Sequence, residues 1–333
     1  MMKRLFLLVS AFIAGSVLII ASWLSGLSTE AILFHIYLPQ RESLSVGYGM
    51  PQLLMQVLLF AICLLVYHFF MGVKYFKWQL ISIVCLLIFD VWYIESHFHI
   101  RDYYKEVHSE TSFIKQNYVF PERHLLKFPM QKRNLIIIQV ESLENTFQDK
   151  LHGGYFNENY IPEISNLADT YTDFTGMKIL PYTTWTIAST VAMTMGGPLR
   201  LDALPKNHPL LYQKSKFKRK YFPKIDILND ILHEEGYTNV FLLGTNPAYA
   251  GQDDFFEQHG KTNIISLYDG KNAYDSDVYE AAKGVLKDLP TPFFLFVQTF
   301  DSHFEGRLNP ACPKIIQNRF LMLIDVFQKK SVI

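Results

Sequence analysis

Long stretches without charged residues fill much of the first hundred positions, and they limit what this chain can fold into. No Asp, Glu, Lys or Arg occurs in Leu5–Leu24 or in Gln52–Gly72, and a third run, Gln79–Ile94, is interrupted only by Asp90. Twenty helical residues rise about 30 Å, the thickness of the hydrocarbon core of a bilayer. The sequence therefore predicts an α-helical membrane anchor of about three transmembrane helices, near residues 5–24, 52–72 and 77–96.

Basic residues beside these runs predict the orientation of the anchor. Lys3 and Arg4 precede the first run, and Lys74 and Lys77 lie between the second and the third. The positive-inside rule places those segments in the cytoplasm and everything after about residue 100 outside. We interpret the first run as a retained anchor because it is longer than the apolar part of a typical signal peptide; a cleaved signal peptide is the alternative.

Composition shows that the rest of the chain is of a different kind. The 333 residues include 31 basic and 31 acidic side chains, and 19% are charged, below the roughly 25% of ordinary soluble domains. A nucleic-acid-binding protein would usually carry a basic excess, and a protein made only of membrane spans would carry less charge. We therefore predict a membrane region over residues 1–100, a connector over 101–131 and an external domain from residue 132.

Short apolar runs rich in branched residues indicate strands in the external domain. Asn134–Val140, Asn239–Leu243 and Pro292–Thr299 are typical of strands buried on both faces, and Thr262–Ser266 is a shorter candidate. Helical patterns lie among them, at Glu163–Tyr171, Ile225–Glu235 and Asp275–Leu289, the last with Asp275 or Ser276 as N-cap. Strands that alternate with helices predict an α/β domain with a largely parallel sheet.

Three polar clusters follow strand ends or open a helix, where α/β sheets usually bind ligands. Glu141 directly follows the first strand and could bind a hard cation, or could simply favour a helix N-terminus. Thr186 lies in a hydroxyl-rich loop before a predicted helix and could act as a nucleophile if activated, or as a helix cap. His303 follows the Phe-rich strand and could contact a phosphoryl group, or could be ordinary polar surface.

The order of these motifs resembles one enzyme family. Four stretches carry the resemblance: Asn134–Glu144, Thr184–Ala188 with Gly196–Leu199, Tyr249–Gly260 and Thr299–His303. They are similar to the membrane-anchored phosphoglycerol and phosphoethanolamine transferases of the alkaline-phosphatase/sulfatase superfamily, which include lipoteichoic acid synthases and the transferases that modify periplasmic glucans. The resemblance implies a sulfatase-like catalytic domain over residues 132–313.

The resemblance also implies a mechanism and its residues. Thr186 would be the catalytic nucleophile, and Glu141 and Thr186 would hold a divalent metal, Mn²⁺ or else Mg²⁺ or Zn²⁺. A phosphoglycerol-type or phosphoethanolamine head group would pass from a membrane phospholipid to Thr186 and then to an extracytoplasmic glycan, at the outer side of a bacterial inner (cell) membrane. Residues expected on the substrate side are Trp185, Gly251, His259 and His303.

The sequence departs from the family pattern at two places. Thr184 stands where relatives often have Gly, and the tail 314–333 does not match the later Asp-His segment that completes the family's metal site. We therefore expect a C-terminally truncated domain. Two alternatives stay open: a sulfate or phosphate ester hydrolase on the same fold, and an inactive membrane-tethered pseudoenzyme. The sequence lacks the Cys/Ser-x-Pro-x-Arg setting of sulfatases around Thr186, which disfavours sulfate hydrolysis.

Overall fold

The computed structural model describes residues 2–24, 29, 32, 56–58, 60–62, 76–108, 119, 121–174, 180–199 and 225–303. Two compact units divide the chain, Met1–Ser112 and Phe113–Ile333. Most of the predicted span 52–72 and the whole tail 314–333 lie outside the described residues.

The first unit contains helices α1 (Met2–Leu24), α2 (Phe76–Phe98) and α3 (Ile100–His108). The first and third uncharged runs are therefore helical, as predicted. Among the described residues, one helix, Leu80–Phe98 within α2, is long and apolar enough to cross a membrane. The Thr29 hydroxyl donates to the Phe98 carbonyl, which places Thr29 at the end of α2.

Four strands of the second unit form one parallel sheet. They are β1 (Leu135–Gln139), β2 (Thr238–Leu243), β3 (Asn263–Ser266) and β4 (Phe293–Gln298). Their spatial order is β1-β4-β2-β3, and every neighbouring pair runs parallel. This confirms the predicted α/β class, and it places the carboxyl ends of β1 and β4 side by side.

The described residues of the second unit include five α-helices. They are α4 (Pro162–Thr170), α5 (Thr186–Met195), α6 (Leu228–Glu234), α7 (Gln252–Glu257) and α8 (Asp275–Asp288). The predicted N-cap of α8 was wrong: Tyr274 is the N-cap, and its N–H donates to the Asp277 carboxylate at 3.2 Å. Asp275 is instead the first helical residue, and its carboxylate accepts hydrogen bonds from the segment that follows β4.

The two faces of the sheet are covered by different helices. On one face α8 packs against alternate residues of β2 and β4, in a core of Val240, Leu242, Val278, Ala282, Phe293, Leu295 and Val297. On the other face α7 supplies Phe256, whose ring lies 4.2 Å from the Phe241 ring and 5.8 Å from the Phe296 ring. Strands β2 and β4 are therefore buried on both faces, as their apolar sequences predicted.

Strand β1 does not have the two buried faces that its sequence predicted. Ile136 is 45% exposed and Ile138 is 51% exposed. Among the described strands β1 pairs with β4 alone, and α8 covers β2 and β4 instead. The exposure of a strand depends on what packs against it. An edge strand with one face not covered by a helix can therefore have the same apolar sequence as a central strand.

Candidate active site

The site is built where β1 and β4 end. One more hydrogen bond joins the two strands just past the end of β4: the Thr299 N–H donates to the Gln139 carbonyl at 3.0 Å. The Glu141 N–H donates to the Thr299 hydroxyl at 3.3 Å, and the Ser302 hydroxyl donates to the Glu141 carbonyl. The backbone of Glu141 is thus fixed on both sides by the segment that follows β4.

Helix α5 begins at Thr186 and brings that side chain to Glu141. Trp185 is the N-cap residue, with extended backbone, so Thr186 is the first helical residue rather than the cap. The Thr186 hydroxyl donates to Glu141 Oε1 at 3.0 Å. Thr186 is 6% exposed and Glu141 is 9% exposed. The structure therefore brings together the two residues that the sequence analysis paired as nucleophile and metal ligand.

Gln139, the last residue of β1, holds α5 in this position. Its Nε2 donates to the Ser189 hydroxyl at 2.7 Å, and its Oε1 accepts from the Thr190 hydroxyl at 2.9 Å. The Thr190 hydroxyl also lies 2.9 Å from the Thr186 carbonyl. The buried apolar residues Ile187, Ala188 and Val191 complete the contact of α5 with the domain. The position of Thr186 is therefore set by both packing and hydrogen bonds.

Burial controls the electrostatics of this pair. Desolvation raises the pKa of Glu141, and the hydrogen bond from Thr186 partly opposes that rise. The phenol of Tyr249 is also affected. Burial and, secondarily, the charge of Glu141 raise its pKa to about 12. Tyr249 is consequently protonated at physiological pH and presents a hydrogen-bond donor near the carboxylate.

An aromatic cluster places His303 on the same side of the domain. The His303 ring stacks on the Phe300 ring at 4.3 Å, and the Tyr249 ring lies 6.4 Å from His303 and 6.0 Å from Phe300. Gly251 ends the 3₁₀ turn Tyr249–Gly251 with φ +74° and is buried. Through Tyr249, the structure connects two predicted substrate-side residues, Gly251 and His303, to the Glu141 side of the site.

Sequence reasoning missed the residue that orders the turn carrying His303. The Asp275 carboxylate accepts from the N–H groups of Phe300 at 2.7 Å and Asp301 at 3.1 Å, and the Asp275 N–H donates to Asp301 Oδ2 at 2.9 Å. Asp275 had been read as a possible helix cap. Gln139, Tyr249, Thr299 and Ser302 were also missed as site residues, and for Gln139 the signal was a polar residue ending an apolar strand.

Comparison with known proteins identifies sequence relatives of part of the chain. No protein-family model matches the chain. Phosphoglycerol transferase I of Escherichia coli strain SMS-3-5 is 31% identical over 203 residues, and the Salmonella choleraesuis protein of the same name is 32% identical over 203 residues. Each match covers 55% of this chain and 25% of the relative. Over these 203 residues the chain is similar in sequence to phosphoglycerol transferase I.

The homology covers only part of those enzymes. The chain spans about a quarter of the length of the curated relatives it matches. Among solved structures, a protein in the alkaline phosphatase superfamily from Vibrio parahaemolyticus matches with a TM-score of 0.38 and 21% identity, over 61% of this chain and 52% of that chain.

The family resemblance seen in the sequence implies that Glu141 would be a metal ligand, and the structure permits a test of fit. Carboxylate and hydroxyl oxygens suit hard divalent cations, and those of Glu141 and Thr186 lie 3.0 Å apart. Among the described residues Glu141 has no ion-pair partner, so a cation would offset the cost of its burial. The described ranges contain no group of three or more His, Cys, Asp or Glu side chains able to hold a metal. The two residues fit as part of a ligand set.

His259 lies far from this pair, at the other edge of the sheet. Its Nδ1 is 2.7 Å from Asp230 Oδ2, and the adjoining Gly260 carbonyl accepts from Asn239 near the start of β2. Glu141 and Thr186 lie at the strand ends, and a six-residue strand extends about 20 Å. The structure therefore does not bring His259 to the other predicted site residues.

Asp230 and His259 lead to a prediction about stability. Replacing Asp230 with Ala is expected to lower the free energy of unfolding by about 3 kcal/mol, because a largely buried carboxylate that pairs with the His259 ring and with backbone N–H groups is removed. Asp230 also accepts from the N–H groups of Ile227 and Gly260. Urea unfolding at pH 7 measures the loss. Asp226→Ala, which removes a more exposed carboxylate just before α6, is the control, expected to cost less than about 1 kcal/mol. Equal losses in the two variants would contradict the prediction.

The contribution of Asp230 to the stability of the fold depends on pH. Burial acts to raise the pKa of Asp230, but the hydrogen bonds from His259, Ile227 and Gly260 outweigh it and lower the pKa. A carboxyl group with a lowered pKa stabilises the fold above its unfolded pKa, and that contribution is lost as pH falls through the folded value. The difference between wild type and Asp230→Ala should therefore shrink in acid.

Proposed function

We propose that this chain is part of a membrane-anchored transferase that moves a phosphoglycerol-type, or phosphoethanolamine, head group from a membrane phospholipid to an extracytoplasmic glycan. One observation carries the proposal: the Thr186 hydroxyl, at the start of a helix, donates to the buried carboxylate of Glu141. The names of the homologous enzymes support phosphoglycerol as the group transferred.

The geometry suits attack by Thr186 on phosphorus. Thr186 Oγ would form a bond to the head-group phosphorus while its proton passes to the Glu141 carboxylate, which accepts the Thr186 hydrogen bond at 3.0 Å. The bond from phosphorus to the diacylglycerol oxygen breaks, and His303 would protonate that oxygen or steady a phosphoryl oxygen. An acceptor hydroxyl then attacks the phospho-threonine, with its proton passing to His303. The bond from phosphorus to Thr186 Oγ breaks, and Glu141 returns the proton to that oxygen, which restores the Thr186 hydroxyl.

The helix that begins at Thr186 contributes to binding. Backbone N–H groups in the first turn of α5 have no carbonyl partner within the helix, and such groups favour a phosphoryl anion. Helix α5 has ten residues, long enough to align several peptide dipoles. Its first turn holds no acidic side chain, so an incoming phosphate would meet no repulsion from that turn.

A divalent cation belongs to the proposal. Glu141 and Thr186 would hold Mn²⁺, or Mg²⁺ or Zn²⁺, together with further ligands. When bound, such a cation lowers the pKa of a coordinated hydroxyl and neutralises charge on the phosphoryl group.

We also propose the full anchor: about three transmembrane helices, in a multi-pass arrangement in a bacterial cell membrane, with the catalytic domain on the outer side. Its support is the helix Leu80–Phe98, the helical α1 and the distribution of basic residues. A phospholipid donor gives the arrangement a physical reason, since tethering raises the concentration of the site at the surface where the donor lies.

A transfer assay tests the proposed function. The intact protein, in vesicles that contain phosphatidylglycerol labelled in its terminal glycerol, receives a divalent metal and a soluble glucan. We expect diacylglycerol to form and the label to become bound to the glucan. Label released as free glycerol phosphate at the same rate with and without glucan would indicate a hydrolase instead. No diacylglycerol under any metal would contradict both readings.

A further inference from the structure

Three buried polar side chains near the carboxyl edge of the sheet have unsatisfied atoms. Thr245 is 3% exposed, Gln252 is 0% exposed and Gln298 is 1% exposed. Among the described residues, Thr245 Oγ1, Gln298 Oε1 and both polar atoms of the Gln252 amide have no hydrogen-bond partner. Buried polar groups in folded proteins are nearly always paired, with protein or with water, so each of these needs a partner.

Strand register places Leu243 and Gln298 on one face. Gln298 pairs with Leu243, and side chains of registered residues in parallel strands point to the same side. A Cβ on Gly244 would lie 2.8 Å from the Val278 side chain, so Gly244 faces α8. Thr245 follows Gly244 in the bend after β2, and its carbonyl accepts from the Ser266 hydroxyl at 2.9 Å.

Helix α7 carries Gln252 over the same place. Gln252, Phe255 and Phe256 are its buried residues, spaced i, i+3 and i+4 along one helix face. The Phe256 ring packs on Phe241 and Phe296. These two residues precede Leu243 of β2 and Gln298 of β4 by two positions each. One helical turn toward the start of α7 is about 5.4 Å, and two strand residues are about 6.6 Å. Because the Tyr249 turn just before α7 lies beside Phe300 and His303, at the carboxyl end of β4, Gln252 lies on the Gln298 side of Phe256.

Gln298 continues this group toward the candidate nucleophile. Its Nε2 donates to Gln139 Oε1 at 3.4 Å. Gln139 in turn contacts Ser189 and Thr190 of α5, and the Thr190 hydroxyl contacts the Thr186 carbonyl. Two carboxamides, Gln139 of β1 and Gln298 of β4, therefore form a hydrogen-bonded row that reaches α5.

We propose that Thr245, Gln252 and Gln298 form a buried water-binding site, and that Gln298 is a positioning residue that ties α7 and its Tyr249 turn to the helix of Thr186. The unsatisfied atoms include amide and hydroxyl donors and carbonyl acceptors, with no charge among them. This set matches a water molecule, which donates two hydrogen bonds and accepts up to two. A direct Gln252–Gln298 bond would leave the Thr245 hydroxyl and one polar atom of Gln252 unsatisfied. The positioning role rests on the proposed function, whereas the water site does not.

A high-resolution crystal structure of the protein tests the water site. We expect an ordered water within about 3.2 Å of Gln298 Oε1 and of at least one polar atom of Gln252 or Thr245. In Gln298→Met, which keeps the length of the side chain and removes the amide, that water should be lost or displaced. A direct bond from the Gln252 amide to Gln298 Oε1, with no water at this place, would overturn the proposal.

Kinetics test the positioning role. Gln298→Met is expected to lower kcat by about tenfold or more while the KM for the phospholipid changes less than about twofold, because a displaced nucleophile slows chemistry more than binding. Asn239→Leu is the matched control: Asn239 is a buried amide on the same face at the other end of β2, also with an unsatisfied oxygen. It should lower the unfolding midpoint and leave kcat unchanged.

The remaining outcomes are also decisive. Equal kcat losses in Gln298→Met and Asn239→Leu at matched stability would show a merely structural role and overturn the positioning claim. If Gln298→Met does not fold, Gln252→Met removes the same bridge from the helix side and should show the same change in kcat. If wild type transfers no phosphoglycerol, the proposed function fails, and the crystal structure still decides the water site.

Discussion

Replacing Thr186 with valine is expected to abolish head-group transfer, with kcat/KM falling more than about 10³-fold. Valine keeps the branched shape that fits this buried helix start and removes the hydroxyl that donates to Glu141. Because the proposed reaction forms a bond from phosphorus to Thr186 Oγ, no other atom at this position can replace it. Thr186→Ser, which retains a hydroxyl, should keep part of the activity.

Mass spectrometry of the protein after brief exposure to phosphatidylglycerol measures the intermediate directly. The wild-type peptide containing Thr186 should gain the mass of a phosphoglycerol group, and the valine variant should not. Thr183→Val is a matched control in the same loop, since the Thr183 hydroxyl donates to the Leu180 carbonyl. It should retain activity within about threefold, the effect of one ordinary hydrogen bond. An adduct that persists in the Thr186 variant would refute this residue as the nucleophile.

Replacing Glu141 with glutamine is expected to lower the activity and to raise the stability of the metal-free protein. Activity should fall by about 10² to 10⁴-fold, because the amide cannot take the Thr186 proton and binds a cation poorly. In metal-free protein the free energy of unfolding at pH 7 should rise by about 1 kcal/mol, since an uncompensated buried charge is removed while its shape is kept. Burial raises the pKa of Glu141, so its ionisation costs the folded state more as pH rises through that pKa.

Urea unfolding of metal-free protein and the transfer assay together test this expectation. Glu144→Gln is the control, because Glu144 is exposed and lies three residues further along the same segment. It should change neither activity nor stability appreciably. A Glu141→Gln variant that is both fully active and less stable would show that the carboxylate has only a structural role.

Sequence periodicity predicted most elements of the second unit, but not helix α7, whose Asp253 and Asp254 had indicated a polar loop. All four strands and the three predicted helices occur within a few residues of their predicted bounds, because apolar runs and helical spacing are local properties. The start of α5 at Thr186 was also predicted. For Glu141 and Thr186 the sequence left open whether each merely stabilised a helix end, and the structure favours a site, since they bond to each other and neither caps a helix.

Long-range placement accounts for what the sequence did not show. The exposure of Ile136 and Ile138 depends on which strand is paired with β1 and where α8 lies. The role of Asp275 depends on contact with a turn about 25 residues away in the chain. The separation of His259 from Thr186 depends on the direction of α7, which returns from the carboxyl edge of the sheet to its amino edge.

The sequence by itself determined that an apolar, helical N-terminal region precedes an α/β domain, and that acidic, hydroxyl and imidazole side chains follow strand ends. Only the tertiary structure decided which of them meet. The carboxyl ends of β1 and β4 are adjacent because those strands pair, although more than 150 residues separate them in the chain. Pairing of distant strands fixed Glu141 beside Thr299 and Ser302, and the Gln139 amide then fixed Thr186 against Glu141.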